Sequence, residues 1–219
     1  MKRHEASIDL VLHHDVLCPW SALAESRLRI VVEECEGAVR LELSPFAIRV
    51  EERLPSSREA LSAIRAIRKV AKEPEGRGIK PDLWRSGDPP RSSVPPLVAL
   101  EAAKILGGDA AHSRLLVAMR RAAFRHGVNI SRDDVILELA EKCGLDVGRF
   151  ATAFASQATR RLITSKHEQA SFRGVRSVPS LVIGGEWIVC GARSLEEYRE
   201  TIRRFGEQHA LRIPDRVVH

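Results

Sequence analysis

The sequence predicts an α/β fold whose sheet is divided between the two ends of the chain, with an all-helical block inserted between them. Three observations carry this reading. The first fifty residues run strand, helix, strand; the stretch from about 56 to 165 has helical periodicity and no convincing strand; the last fifty residues return to sheet through a short hairpin. The division that follows is a discontinuous sheet-bearing domain, 1–55 with 166–219, and a helical insertion domain, 56–165.

The first strand, about 7–14, is a nearly continuous apolar run, as a strand buried on both faces requires. Pro19 stands where a helix tolerates proline best, in its first turn. From there Trp20, Ala24, Leu28, Val31 and Cys35 recur at helical spacing as one core-facing stripe, and Gly37 ends the helix. Val39, Leu41 and Leu43 then alternate with Arg40, Glu42 and Ser44, the period of a strand. A helical crossover of this length makes the two strands parallel.

In the helical block, Ser57 is placed as the cap of a helix carrying Leu61, Ile64, Ile67 and Val70. Residues 73–93 are rich in Pro, Gly and charge and read as loop. Helical patterns return at about 94–106 and 110–126. Ser131-Arg132-Asp133-Asp134 reads as a capping box opening a helix through Leu137 and Leu139. Another helix begins near Asp146, and a longer one ends before Gly174. Ser180 to Ile183, Gly184-Gly185 and Trp187 to Cys190 form a hairpin signal. Ser194-Leu195-Glu196-Glu197 is a second capping box, starting a final helix to about 208.

With 219 residues, 44% hydrophobic and 29% charged, the composition is that of a soluble globular protein. No apolar run approaches the roughly 20 residues a membrane span needs, so no membrane association is expected. Lys2 and Arg3 precede only a short, interrupted apolar piece without a small-residue cleavage site, which points to the cytoplasm. Cys18, Cys35, Cys143 and Cys190 lack metal-type spacing and read as free thiols. The net charge of +6 includes basic clusters at Arg65 to Lys72 and Arg120 to Arg125. Both alternate with apolar residues at helical spacing, so they read as solvated faces. No aromatic-rich reading surface accompanies them, and nucleic acid is not expected.

Chemistry concentrates in Asp15-Val16-Leu17-Cys18-Pro19-Trp20-Ser21, which puts a cysteine at a strand-to-helix turn. The unpaired N–H groups of a helix start favour an anion, so the Cys18 thiol is expected below the range of free cysteine. Its thiolate is the attacking species in disulfide exchange. Far downstream, Gly174-Val175-Arg176-Ser177-Val178-Pro179 leads into the hairpin, and a proline opening a strand cannot donate to the ladder. Ser21 stands where a C-x-x-C pair would have its second thiol. A hydroxyl stays protonated near neutral pH and cannot resolve a mixed disulfide, although it can donate to a thiolate. His13 and His14 point to opposite strand faces. One is a candidate charge partner or proton donor for Cys18; partly exposed strand-end histidines are the alternative. With Asp15 and Cys18 they do not converge on a metal, and none is expected. Asp15 is read as shaping the turn or influencing thiol ionisation. Trp20 either begins the apolar stripe or flanks substrate. Trp84, beside Arg85, is a candidate lid residue.

These residues resemble the DsbA family of thioredoxin-like proteins, particularly its cytoplasmic FrnE-like branch, which is related to the hydroxychromene carboxylate isomerases and kappa-class glutathione transferases. The resemblance spans nearly the whole chain. It rests on Asp15-x-x-Cys18-Pro19-Trp20, the helical insertion, the Gly174 to Pro179 approach and the hairpin running to Gly191. It implies a thioredoxin-like fold, a central mixed β-sheet flanked by helices. It further implies a cis Val178-Pro179 bond lying against Cys18, with backbone there free to hold an extended peptide or glutathione. In that fold Cys190 returns to the active-site end, about two strands or roughly 10 Å from Cys18, too far for a disulfide, which needs Cα atoms within about 7 Å. Cys35 and Cys143 are read as packing.

FrnE-like members usually carry C-P-W-C, and the isomerase branch usually has serine in place of Cys18; this chain keeps the first cysteine and lacks the second. The function implied is a monothiol thiol–disulfide oxidoreductase with Cys18 as nucleophile and Ser21 as its hydrogen-bond partner. Pro19, Trp20, Val178 and Pro179 would contact substrate or glutathione, with His13, His14 and Asp15 as accessory groups. No tightly bound cofactor is implied; glutathione is the expected cosubstrate and resolving thiol. The expected partner is a thiol- or disulfide-bearing peptide or small molecule, with a homodimer left open. Two alternatives stand beside this reading: a glutathione-dependent isomerase or transferase, and a non-catalytic thioredoxin-like binding protein.

Overall fold

A computed structural model describes residues 7–211 and residue 213. Lys2 and Arg3, on which part of the targeting argument rests, lie outside the described residues. The sheet part begins with β1 (Ile8–His14), α1 (Pro19–Glu34) and β2 (Val39–Pro45). Five helices follow: α2 (Ser57–Val70), α3 (Val94–His126), α4 (Asp133–Lys142), α5 (Val147–Ala155) and α6 (Gln157–Phe172). The chain closes with β3 (Ser180–Ile183), β4 (Trp187–Cys190) and α7 (Leu195–Gln208). This is the thioredoxin-like arrangement with a helical insertion.

Strand order is β2-β1-β3-β4, with β1 parallel to β2 and antiparallel to β3, so the sheet is mixed. The apolar run of β1 is explained by its central place: Leu10 and Leu12 have no exposed surface. β2, at an edge, alternates as its sequence does. On one sheet face Leu10, Leu12, Leu28, Tyr198 and Phe205 pack together, joining the strands to α1 and α7. A larger cluster occupies the helical part, built on Leu97, Leu115, Met119 and Phe150. Val16 and Leu17 belong to this second cluster, so the segment immediately ahead of Cys18 is anchored in the insertion.

Several local expectations are corrected. The cap of α2 is Ser56, whose Oγ accepts from Glu59 N–H at 3.3 Å while the Glu59 carboxylate accepts from Ser56 N–H at 2.7 Å. Ser131 is not the cap of α4: Arg132 occupies that position without a side-chain bond, and the Ser131 hydroxyl donates to the Ser92 carbonyl at 2.7 Å. The two helical patterns at 94–106 and 110–126 do form as two helical segments of α3, separated at Gly107 and Gly108, where φ is −145° and 64°. Residues 73–93 contain two 3₁₀ turns, Pro74–Gly76 and Asp82–Arg85. The second buries Leu83 and Trp84 in the helical core, and there Trp84 packs as a core residue, not as a lid. The hairpin and the Ser194–Glu197 capping box form as the sequence indicates.

The hairpin turn imposes a sharp steric condition. Gly184 has φ 58°, and a Cβ there would lie 2.2 Å from the Phe205 ring; Gly185 has φ 77° but faces open space. Gly184→Ala is therefore expected to cost about 3 kcal/mol, and Gly185→Ala only the roughly 1–2 kcal/mol of left-handed backbone. Chemical denaturation of both variants checks the difference, and equal costs would mean that the Phe205 ring yields.

Candidate active site

The turn between β1 and α1 is held by a buried carboxylate. Asp15 has no exposed surface. Its Oδ1 accepts from Leu17 N–H and its Oδ2 from Ile48 N–H, each at 2.8 Å. It thus fixes the turn internally and ties it to the segment leaving β2. Burial raises the Asp15 carboxyl to about 6, against the pull of the Ser93 hydroxyl and the Ile48 and Leu17 amides. Near neutral pH it is still largely ionised.

Cys18 is the N-cap of α1, with Pro19 opening the helix. The thiol is 7% exposed and donates to the Val178 carbonyl at 3.9 Å; the Val178–Pro179 peptide is cis. Ser21 is fully buried, its Oγ accepting from Asp15 N–H at 3.4 Å and its hydroxyl serving the Cys18 sulfur. The sequence argument for a depressed thiol is overturned. Burial pushes Cys18 up and outweighs the Ser21 hydroxyl and the Ser21 and Trp20 amides that pull it down, while Asp15 adds a further upward push. The helix-terminus donors are present, but the thiol has been taken out of water.

Trp20 is half-buried and joins neither the sheet core nor the helical core, so it is not part of the apolar stripe. Val178 is half-buried, and Pro179 is buried, its carbonyl accepting from Gly191 N–H at 2.8 Å. His13 and His14 are both buried, not partly exposed strand-end residues. Burial, with Arg173, lowers His13 to about 4; burial, with Arg120, lowers His14 to about 3. Both are neutral at physiological pH, so neither supplies Cys18 with a positive charge. All four cysteines are free; Cys190 is exposed at the end of β4, with Ser180 Oγ 3.9 Å from its sulfur. Among the described residues no group of three or more His, Cys, Asp or Glu could hold a metal ion. Among them, too, no helix is long and apolar enough to cross a membrane.

A buried ionic cluster escaped the sequence reading. Glu25 of α1 pairs with Arg120 of α3 and with Arg29 at 2.7 Å. Burial alone would raise Glu25, but Arg120 beside it holds the carboxyl near 2. Arg120 is thus no member of a solvated face. Its signal was present: it lies at helical spacing among Leu116, Met119 and Ala123, all core residues.

Opposite shifts are expected from two variants. Asp15→Asn removes a charge that pushes the thiol up, so Cys18 alkylation moves to lower pH. Ser21→Ala removes a donor to the sulfur, so alkylation moves to higher pH. Iodoacetamide labelling followed at Cys18 by peptide mass checks both, and shifts in the same direction would discard this account of the thiol.

The sequence signature of the DSBA-like thioredoxin domain matches residues 9–203. A curated relative, the ClpXP adapter protein SpxH of Halalkalibacterium halodurans, is 29% identical over 126 residues, 58% of this chain. The matched stretch spans only 40% of that protein's length. Among solved structures, the cytosolic disulfide reductase DsbM from Pseudomonas aeruginosa with GSH superposes with a TM-score of 0.67 at 21% identity, covering 92% of this chain and 98% of that one. A 2-hydroxychromene-2-carboxylate isomerase gives 0.67 at 18% identity over 92% and 98% of the two chains. Oxidoreductase DsbA from Xylella fastidiosa gives 0.63 at 17% identity over 94% and 87%. These likenesses establish a shared fold, and with the signature running through both halves of the sheet and the insertion between them, the chain belongs to the DSBA-like thioredoxin domain family.

Proposed function

We propose that the protein is a cytoplasmic monothiol thiol–disulfide oxidoreductase, in which Cys18 exchanges mixed disulfides and glutathione supplies the resolving thiol. The observation that carries this reading is the setting of Cys18. Its sulfur lies against the Val178 carbonyl, and the only side chain placed to serve it from within the helix turn is the Ser21 hydroxyl. The substrate is a disulfide-bearing peptide or small molecule docked at Val178 and Pro179, with Trp20 on its flank. No tightly bound cofactor is required.

The exchange proceeds in two displacements. Cys18 loses its proton to solvent, and the thiolate attacks the glutathione sulfur of a glutathionylated substrate; the new S–S bond forms as the old one breaks, and the substrate leaves as a thiolate. A glutathione thiolate then attacks Cys18–S–S–glutathione, releasing glutathione disulfide and the Cys18 thiolate. Ser21 stabilises that thiolate as leaving group through its hydrogen bond. Because burial keeps the resting sulfur protonated, the reactive fraction is small at neutral pH. The first displacement therefore rises with pH, about tenfold per unit below the thiol's pKa.

A second reading has its own support: the curated relative is an adapter protein, and a buried, protonated thiol suits a docking module that does not turn over. A glutathione-dependent isomerase or transferase is the remaining alternative, and it predicts reversible glutathione binding. Turnover of a glutathionylated peptide, coupled to glutathione reductase, separates the three. The proposed reading expects turnover that rises with pH, one glutathione adduct on Cys18 after exposure to oxidised glutathione, and loss of both in Cys18→Ser. Unchanged turnover in Cys18→Ser would overturn it. No adduct and no turnover would leave the docking reading, while Ser21→Cys is expected to add single-turnover oxidation of dithiols.

A further inference from the structure

The thiol site leaves one feature of the sequence unused, the basic runs from Arg65 to Lys72 and around Arg121 to Arg125. Arg65 and Lys69 are exposed one turn apart on α2, and Lys72 is exposed just past its end. The chain then folds back tightly: a Cβ at Gly76 would lie 1.9 Å from the Val70 carbonyl oxygen. Beyond it, the Arg77 carbonyl accepts from Arg125 Nη2 at 3.3 Å, and Lys80 N–H donates to the Phe124 carbonyl at 2.6 Å. These contacts set the end of α2 beside the end of α3, where Arg121 and Arg125 are exposed one turn apart.

Among the described residues, none of Arg65, Lys69, Lys72, Arg77, Arg121 or Arg125 pairs with a carboxylate. Of the acids nearby, Glu73 and Glu75 pair with Arg27 and Glu59 with Arg53, while Asp82 lies against Gly127 at the end of α3. Other surface arginines divide into those held by acidic side chains, such as Arg132, Arg199 and Arg203, and scattered ones such as Arg149, Arg160 and Arg204. The six cations form a local group of positive charge at the ends of α2 and α3. Such a surface attracts an anionic partner and holds it through desolvated or rim-level charge pairs.

We propose that this face docks an acidic segment of a partner polypeptide. A nucleic acid fits less well, because single-stranded binding surfaces add aromatic stacking to charge; the aromatic residues next to this face, Trp84 and Phe124, are buried in the core. The inner side of α2 packs, through Ile67, into the same cluster as Val16 and Leu17 of the turn ahead of Cys18. A partner held on α2 is therefore held on an element that also supports the thiol turn.

The test is fluorescence anisotropy of a labelled peptide of alternating Glu and Ser, on Cys18→Ser protein so that thiol exchange contributes nothing. Lys69, Lys72 and Arg121 are changed together to Gln, which keeps helix propensity. A control triple changes Arg149, Arg160 and Arg204, exposed cations elsewhere with no ion pair among the described residues, in the same way. The face triple is expected to bind about tenfold more weakly at low salt and with a shallower salt dependence, the control by no more than about twofold. Equal losses in the two triples would overturn the proposal, since bulk charge alone would then account for binding. So would the absence of binding to the unsubstituted face. Tighter binding of a single-stranded oligonucleotide of equal charge would overturn it in favour of nucleic acid.

Discussion

The site depends on one constraint: a carboxylate and a thiol are buried together in a single turn. Asp15 is accommodated without water because two backbone N–H groups, from Leu17 and Ile48, each reach one of its oxygens. That arrangement fixes where Val16 and Leu17 point, which is into the helical core. It also fixes where α1 starts, and so where the sulfur stands against Val178. The thiol's elevated pKa is a by-product of the same packing. Helix-terminus donors favour a thiolate only while they outweigh the loss of hydration, and here the sulfur is too deeply buried for that.

The second organising interaction is ionic and ties the two parts of the chain together. Glu25 and Arg120 meet across the boundary between α1 and α3, both largely withdrawn from solvent. Nearby, Arg27 reaches Glu73, Glu75 and the Arg193 carbonyl, linking α1 to the loop after α2 and to the segment before α7. Buried pairs add little net stability over apolar packing, yet losing one partner costs about 3–5 kcal/mol, because a charge is left behind unpaired. Their contribution is to the placement of α3 on α1. An apolar contact tolerates sliding; a guanidinium facing a carboxylate does not.

Much of this was legible in the sequence because it follows from periodicity. The nearly continuous apolar run of β1 marked a strand buried on both faces, the alternation in β2 marked a second strand, and Gly184-Gly185 marked the hairpin. The Cys18 turn and the Val178-Pro179 approach were visible as separate segments, and only the fold could bring them together. What was not legible depends on burial at long sequence separation. Nothing in the local sequence says that Ile48 N–H will solvate Asp15, or that Arg120 will turn inward to Glu25. The errors at Ser57 and Ser131 are each a shift of one residue, since the caps fall at Ser56 and Arg132. Ser131 instead donates to the carbonyl of Ser92, a residue far away in the chain. Trp84 misled because a Pro/Gly-rich context suggests an exposed loop even where a 3₁₀ turn folds its tryptophan into the core.

Ser21 bears on what kind of chemistry the fold retains. A second thiol at this position would give the site an internal redox couple with its own potential, and the protein would carry oxidising equivalents. A hydroxyl here keeps the hydrogen bond to Cys18 and the acceptor for Asp15 N–H, so the geometry of the turn survives while the couple does not. The redox state of Cys18 is then set from outside, by whichever thiols and disulfides reach it. On the proposed monothiol reading, partner selection matters more than potential, and it would come from the surface beside the sulfur, the half-buried Trp20 and the Val178 carbonyl, and from the proposed docking face at the ends of α2 and α3. In a dithiol enzyme specificity refines a reaction that runs anyway. In the monothiol exchange proposed for this chain, recognition would determine whether a reaction occurs.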